Sequence, residues 1–394
     1  MAAYYANATL GTPAQSFQLL IDTGSSDLWV NTPSSLLCRN STQPCADYGT
    51  YKANSSSTYS YVASDFDISY TDGSNATGDY ATDTFVIGGT TVTNLRFGIG
   101  YVSTCEQSIL GIGYEANEAE VSSGNGNTYS NLPAMLVEQG KIASNAYSLW
   151  LNDLDSNTGN ILFGGVDTEK FHGTLSTLPI LTENGTYLEF IITLTGVSIG
   201  SVTITSDQSI PVLLDSGSSI TYLPDAITSV IYNQIQTQYD PEQGAAPVPC
   251  SLAESTTTIN FTFTSPTISI PMRELVINAN DGTGSCYLGI APTRGGGNSV
   301  LGDTFIRSAY VVYDTSNNQI SIAQTNFNAK TSNILEIEAG ASGVPSATLV
   351  QNAPTASSGT GTASETSHTA AAVANSAPLD AMVVAGIGML WAAL

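Results

Sequence analysis

One word of seven residues occurs twice in this chain, and that repetition limits the possible folds more than any other feature. Leu20-Ile21-Asp22-Thr23-Gly24-Ser25-Ser26 is echoed in the second half as Leu213-Leu214-Asp215-Ser216-Gly217-Ser218-Ser219. A second pair keeps step with the first, because Ile109-Leu110-Gly111 follows Asp22 at nearly the interval at which Val300-Leu301-Gly302 follows Asp215. Two matched words at nearly equal offsets indicate a duplicated lobe.

Each Asp ends an apolar β-type run, Phe17 to Ile21 or Pro211 to Leu214, and stands two residues before a Gly. Such a residue sits where a buried strand breaks into a tight turn. The Gly allows close backbone approach. Its N–H and the hydroxyls of Ser25 and Ser218 can donate to the carboxylate and fix its orientation. A single Asp-Thr/Ser-Gly word is an ordinary turn in which Asp bonds its own backbone. Two copies in equivalent apolar surroundings point instead to a paired site, Asp22 with Asp215, supported by Thr23, Gly24, Ser25, Ser216, Gly217 and Ser218.

Composition narrows the class. Nine Lys and Arg stand against 33 Asp and Glu, a formal net charge of -24, so a phosphate backbone is repelled and nucleic acid is not an expected partner. A length of 394 residues suggests two or three units. Charged residues make up 11% of the chain, and with 36 Gly, 19 Tyr and abundant Ser and Thr it reads as mostly β and extracellular. So few charges also suit an acidic milieu. Asn-x-Ser/Thr triplets at Asn7, Asn40, Asn54, Asn75, Asn184 and Asn260 suggest surface loops of a glycoprotein, although a Ser/Thr-rich chain also generates them by chance. The five cysteines are too few for a disulfide scaffold and wrongly spaced for zinc. Two local pairs are expected, Cys38 with Cys45 and Cys250 with Cys286, leaving Cys105 as a buried, inert thiol.

The chain resembles the pepsin family of aspartic proteases, and within it the GPI-anchored fungal members called yapsins, over roughly residues 4 to 328. The matching pieces are Tyr5-Ala6-Asn7-Ala8-Thr9-Leu10-Gly11-Thr12-Pro13, both Asp words, Trp29, and Ile68-Ser69-Tyr70-Thr71-Asp72-Gly73-Ser74. Leu162-Phe163-Gly164-Gly165-Val166-Asp167 and Val300-Leu301-Gly302-Asp303-Thr304-Phe305-Ile306-Arg307 match as well. The resemblance implies a bilobal, mostly antiparallel β fold with a cleft between similar lobes, each supplying one catalytic Asp. It implies peptide or protein substrates, a monomer and no cofactor or metal. It also puts Tyr70 on a hairpin flap, its hydroxyl toward Trp29; Asp72-Gly73 between two β-type stretches is itself a hairpin signal. Asp72 resembles an acidic group that receives a Lys or Arg just before the cleaved bond, and it can equally be a simple turn former. The flap departs from the family pattern at Thr71, where Gly is common. The acidic run Glu115 to Glu120 is expected as a solvated face.

The expected organisation is a first lobe over 1–175, a second over 176–328, a Ser/Thr/Ala-rich disordered stalk over 329–380, and a hydrophobic tail over 381–394. That terminal apolar run is shorter than the ~20 residues of a spanning helix. Following a polar spacer, it reads as a GPI-attachment signal with the acceptor at 370–372 or 375–377, hence a cell-surface location. The first residues lack the basic and apolar regions of a signal peptide, so the chain is expected to be truncated at its start. Rival hydrolase chemistries lack parts: His172 and His368 are the only histidines, and no H-E-x-x-H word occurs. The competing reading is a noncatalytic wall protein that binds peptide or glycan in the same cleft, and the intact Asp words weigh against it.

Overall fold

The computed structural model describes residues 3–124, 126–156, 158–279, 284–294, 297–351, 353 and 386–392, the last stretch by its backbone alone. Seven strands build the first half: β1 (Tyr4–Leu10), β2 (Gln15–Asp22), β3 (Leu28–Asn31), β4 (Ser60–Ser69), β5 (Asn75–Ile87), β6 (Thr90–Ser103) and β7 (Ser108–Gly111). They lie in the order β1-β2-β7-β3-β6-β5-β4 within one large sheet. In that sheet β2 runs parallel to β7, with Leu20 opposite Ile109 and Asp22 opposite Gly111. The second half repeats the device: Ile210–Leu214 runs parallel to Ser299–Leu301, with Leu213 opposite Val300. The two words that keep step in the sequence are therefore neighbouring strands in each half, which is why their intervals match.

The remaining strands of the large sheet, among them Ala146–Trp150, Asn160–Phe163, Phe171–Pro179, Ala309–Asp314 and Gln319–Thr325, join the halves. The boundary expected at 175 falls inside Phe171–Pro179, because this strand belongs to the shared sheet and pairs with Gln319–Thr325. Gly386–Ala392, within the apolar tail, runs parallel to both β1 and Asn160–Phe163. One continuous apolar core, from Ala6 and Leu19 through Tyr147 and Phe163 to Phe305 and Ile322, underlies both halves. No helix among the described residues is long and apolar enough to cross a membrane.

Two expectations are corrected. The body does not stop at 328: Ile334–Glu336 pairs antiparallel with Gly165–Asp167, and Ala347–Leu349 runs parallel to Phe171–Pro179. Buried Lys170 lies over the Trp150 ring (4.5 Å) and donates to the carbonyls of Ala329 (2.9 Å) and Thr331 (3.0 Å). Asp167 accepts from Ser332 Oγ (2.6 Å) and the Asn333 N–H (2.8 Å), and Ile337 is fully buried. A few hydrogen bonds and two buried apolar side chains, Ile337 and Val344, hold a segment whose composition is that of a stalk. The remainder of the stalk and the expected attachment positions lie outside the described residues.

The acidic run is also not a solvated face. Glu118 and Glu120 are buried. Arg96 is clamped between the rings of Tyr80 and Tyr129 (4.3 and 4.5 Å) and pairs with Glu120. Asp27, fully buried, accepts from Tyr80 Oη (2.9 Å), Tyr129 Oη (2.8 Å) and the Ala119 N–H (2.9 Å). Among the described residues Glu118 accepts only from the Tyr129 N–H (2.8 Å), and burial pushes its carboxyl up to about 10, so it is housed as the neutral acid.

The sign of the resulting pH dependence follows. Glu118 keeps in the folded state a proton that the unfolded chain sheds above about 4.5, so its contribution is whole below that pH and is lost as pH rises toward 10. Burial also raises Asp27 and Asp303. Thermal unfolding followed from pH 4 to 9 is expected to show highest stability in acid and a steady fall with pH. Glu118→Gln should remove up to about 1.4 kcal/mol per pH unit of that slope. A midpoint that rises between pH 5 and 9 contradicts this account.

Candidate active site

Asp22 ends β2, and Asp215 follows the strand Ile210–Leu214. After each, the chain must cross its parallel neighbour, and a glycine there leaves room. A methyl group at Gly111 would lie 2.6 Å from the Asp27 nitrogen, and one at Gly302 would overlap the carbonyls of Ser218 and Ile220. The turns can therefore fold back tightly, which aims each carboxyl away from its strand.

Two short bonds hold each carboxyl. The Gly24 N–H donates to Asp22 Oδ1 (2.9 Å) and Ser25 Oγ to Asp22 Oδ2. The Gly217 N–H donates to Asp215 Oδ1 (2.8 Å) and Ser218 Oγ to Asp215 Oδ2 (2.6 Å). The residues between lock the halves together. Thr23 Oγ1 donates to the Leu214 carbonyl (2.9 Å) and accepts from the Ser216 N–H (2.9 Å). Reciprocally, Ser216 Oγ donates to the Ile21 carbonyl (2.9 Å) and accepts from the Thr23 N–H (3.2 Å). Sequence reasoning assigned Thr23 and Ser216 to support without seeing this crossed arrangement; the signal was a hydroxyl at the same position of both words.

The two carboxyls come within hydrogen-bonding reach of each other. Gly217 lies against both: a methyl group there would overlap Asp22 Oδ1 and sit 3.1 Å from Asp215 Oδ1. Both side chains are buried, and burial pushes both upward; the Asp22 charge beside Asp215 raises that residue further. Two carboxyls so placed hold one proton between them, which leaves one group able to accept a proton and the other to donate one.

A hairpin overhangs the pair. The Tyr70 N–H donates to the Ser74 carbonyl (2.8 Å) and the Gly73 N–H to the Tyr70 carbonyl (2.9 Å), with Gly73 at φ +86°. Asp72 Oδ1 accepts from the Ser74 N–H (2.8 Å), so Asp72 does form the turn. Burial raises the Tyr222 hydroxyl of the second half, and the charges of Tyr239, Asp215 and Asp72 add to it. Trp29 Nε1 donates to Tyr70 Oη (2.7 Å), and the two pack with Phe66, Ile68, Tyr80 and Ile109. Proximity to the Asp22 charge adds to burial in raising the Tyr70 hydroxyl, which fixes it as a neutral donor. The partly buried Cys105 packs on this cluster, and burial raises its thiol, which disfavours thiolate. Cys38–Cys45 and Cys250–Cys286 are bridged, whereas Cys105 is free. Asp27, Tyr222 and Glu189, all near this site, escaped sequence reasoning because only folding brings them there. No grouping of three or more His, Cys, Asp or Glu suited to a metal ion occurs among the described residues.

Known proteins share this plan. Residues 3–325 match the family model described as eukaryotic aspartyl protease. The chain is 54% identical over 359 residues to a probable aspartic-type endopeptidase, opsB, of Aspergillus fumigatus, covering 89% of this chain and 74% of that one. It is 39% identical to an acid protease of Saccharomycopsis fibuligera over 82% of this chain and 81% of that one. It is 36% identical to secreted aspartic protease 8 of Candida albicans over 84% and 78%. The crystal structure of an aspartic proteinase from Irpex lacteus superposes with a TM-score of 0.67 at 22% identity, covering 84% of this chain and 97% of that one, a likeness of fold. Duplicated strands, converging carboxyls and these matches lead to one conclusion: the chain belongs to the eukaryotic aspartyl protease family and is a pepsin-like protease, a hydrolase of the aspartic endopeptidase type.

Proposed function

We propose that Asp22 and Asp215 bind one water between them and hydrolyse internal peptide bonds of polypeptide substrates. The ionised member of the pair takes a proton from the water as it attacks the scissile carbonyl, and the protonated member donates to the carbonyl oxygen. The observation that carries the reading is the mutual approach of two buried carboxyls, each oriented by a Gly N–H and a Ser hydroxyl. Tyr70, held by Trp29, closes over the substrate and excludes water. The active form keeps one shared proton, so rate falls when both groups are protonated and again when that proton leaves. With a fold that favours low pH, the working range is acidic.

Specificity on the flap side belongs to Asp72. Turn formation uses Oδ1, which leaves the second carboxylate oxygen for a Lys or Arg just before the cleaved bond. The protein acts as a monomer at the cell surface, carried there by a GPI anchor, and its extracellular setting is supported by its likeness to secreted aspartic protease 8. Asn184, exposed at a turn, is open to a glycan. Asn260 is the worst placed, its amide being engaged with Ser198 Oγ and Thr258 Oγ1.

Hydrolysis of a peptide near pH 4, blocked by a pepstatin-type inhibitor, is the expected behaviour. Asp22→Asn and Asp215→Asn should each lower kcat by about 10³-fold, and activity surviving either substitution rejects the mechanism. Binding of peptide without turnover by the wild type supports a noncatalytic protein instead. Asp72→Ser should reduce the preference for cleavage after Lys over Leu by roughly tenfold; equal wild-type rates on the two peptides remove Asp72 from specificity.

A further inference from the structure

The overhanging hairpin carries one of the Asn-x-Ser/Thr words, Asn75-Ala76-Thr77, on its outer face. Ile68 lies opposite Ala76 and both are buried, so the alternating residues Asp67, Ser69, Asn75 and Thr77 belong to the other side of the sheet. There Ser69 is opposite Asn75 and Asp67 opposite Thr77, with Asp67 and Ser69 exposed and Asn75 and Thr77 partly so. The amide and the hydroxyl that define an N-glycan acceptor thus share one open face. The Asn75 N–H donates to Thr104 Oγ1 (2.8 Å), and the Asn75 carbonyl accepts from the Thr104 N–H (3.0 Å). The Asn75 side-chain amide and the Thr77 hydroxyl have no hydrogen-bond partner among the described residues, in contrast to the engaged amide of Asn260.

The neighbouring strand supplies a bed for a sugar. Between β5 and β6, Thr77 is opposite Val102 and Gly78 is opposite Gly100, so Tyr101 is the extra residue of a bulge. Val102 and Tyr101 are 49% and 40% exposed, large apolar groups turned to solvent beside Thr77. Tyr101 lies against Gly78, where an added methyl group would come within 3.0 Å of its ring, and its hydroxyl donates to Asp79 Oδ2 (2.9 Å). The ring is thereby tethered, and the strip has apolar surface along its length and a carboxylate at its end. A pyranose matches it, with an apolar C–H face for Val102 and Tyr101 and hydroxyls for Asp79.

Resting on the extracellular setting read above, we infer that Asn75 is an N-glycosylation site whose first sugar lies across Val102 and Tyr101 and ties the flap to β6. The donor is an oligosaccharide carried on a lipid pyrophosphate. The C–N bond to Asn75 Nδ2 forms as the anomeric C–O bond breaks, the lipid pyrophosphate leaves, and one amide proton is released. One occupant then accounts for both the open sequon and the exposed apolar strip.

Its position gives this glycan a consequence. Asn75 directly follows the Tyr70–Ser74 turn, the part of the hairpin that must lift to admit substrate. The chain just beyond β6 is fixed, because the carbonyls of Cys105, Glu106 and Gln107 accept from Nδ2 of buried Asn31 (3.0, 3.2 and 3.4 Å). A sugar bonded to the first and resting on the second loses its contacts when the flap lifts, so it favours the closed flap.

The test uses the full chain, secreted by a fungal host behind an added leader. Peptide mass spectrometry after enzymatic glycan release in heavy-oxygen water reads occupancy, and hydrogen exchange over residues 68–76 reads the flap. Asn75 is expected to be occupied, with exchange severalfold slower than in Asn75→Gln or Thr77→Ala; Thr77→Ser, which keeps the acceptor word, should restore both. Trimming to the first sugar should leave the slow exchange unchanged. A bare Asn75 beside occupied sequons elsewhere overturns the inference whether or not the variants fold. Exchange that is the same with and without the glycan overturns the tie to β6. No glycan at any of the six words overturns the inference and strikes the extracellular reading with it, a result distinct from a bare Asn75 alone.

Discussion

The crossed bonding of Thr23 and Ser216 is the constraint on which the rest of this molecule depends. Each hydroxyl accepts from the other half's backbone N–H and donates to the other half's carbonyl, and all four groups are buried. Neither half alone can satisfy these groups, and a buried N–H or carbonyl left unpaired costs roughly 1–3 kcal/mol. The halves are thereby held in one relative position at the point where Asp22 and Asp215 emerge. Carboxyls that repel when ionised are brought together by neighbours whose buried bonds cross between the halves.

From that fixed point the electrostatics follow. Burial alone disfavours two charges at the pair, and the charge of one raises the other, so a proton is retained between them. The surroundings extend the theme. Asp27 is satisfied by two tyrosine hydroxyls and a backbone N–H, whereas Glu118 nearby remains an acid. In the second half, Arg307 and Glu274 form a buried pair (2.8 Å) near Asp303, whose oxygens have no hydrogen-bond partner among the described residues. A chain with few cations buries carboxyls such as Glu118 that burial keeps as neutral acids, and this ties its stability to acid.

The repeat explains the strand plan, while the two halves differ where function demands it. The first half carries the overhanging hairpin of Tyr70 and Asp72, secured by Trp29 and by the cluster that rests on Asp27 and Arg96. The second half answers with the 183–186 hairpin, whose following Tyr187 stacks on Tyr114 of the first half. Duplicated strands place the chemistry, and unduplicated loops surround it.

Much of this was legible in the sequence. The paired words announced two equivalent strand-to-turn junctions, the interval to Ile109 and Val300 reflected their parallel neighbours, and Asp72-Gly73 signalled a hairpin, all consequences of local backbone chemistry. The boundary near 175, the stalk from 329 and the solvated acidic run were misjudged, because a shared strand, the buried Ile337 and Val344 and an Arg96 clamped between rings leave no mark in composition. Which hydroxyl reaches which carbonyl, and that Glu118 is shielded from water, were decided by tertiary structure alone. These contacts join residues far apart in the chain, and no local pattern encodes the distance between groups that meet only when two sheets close on one core.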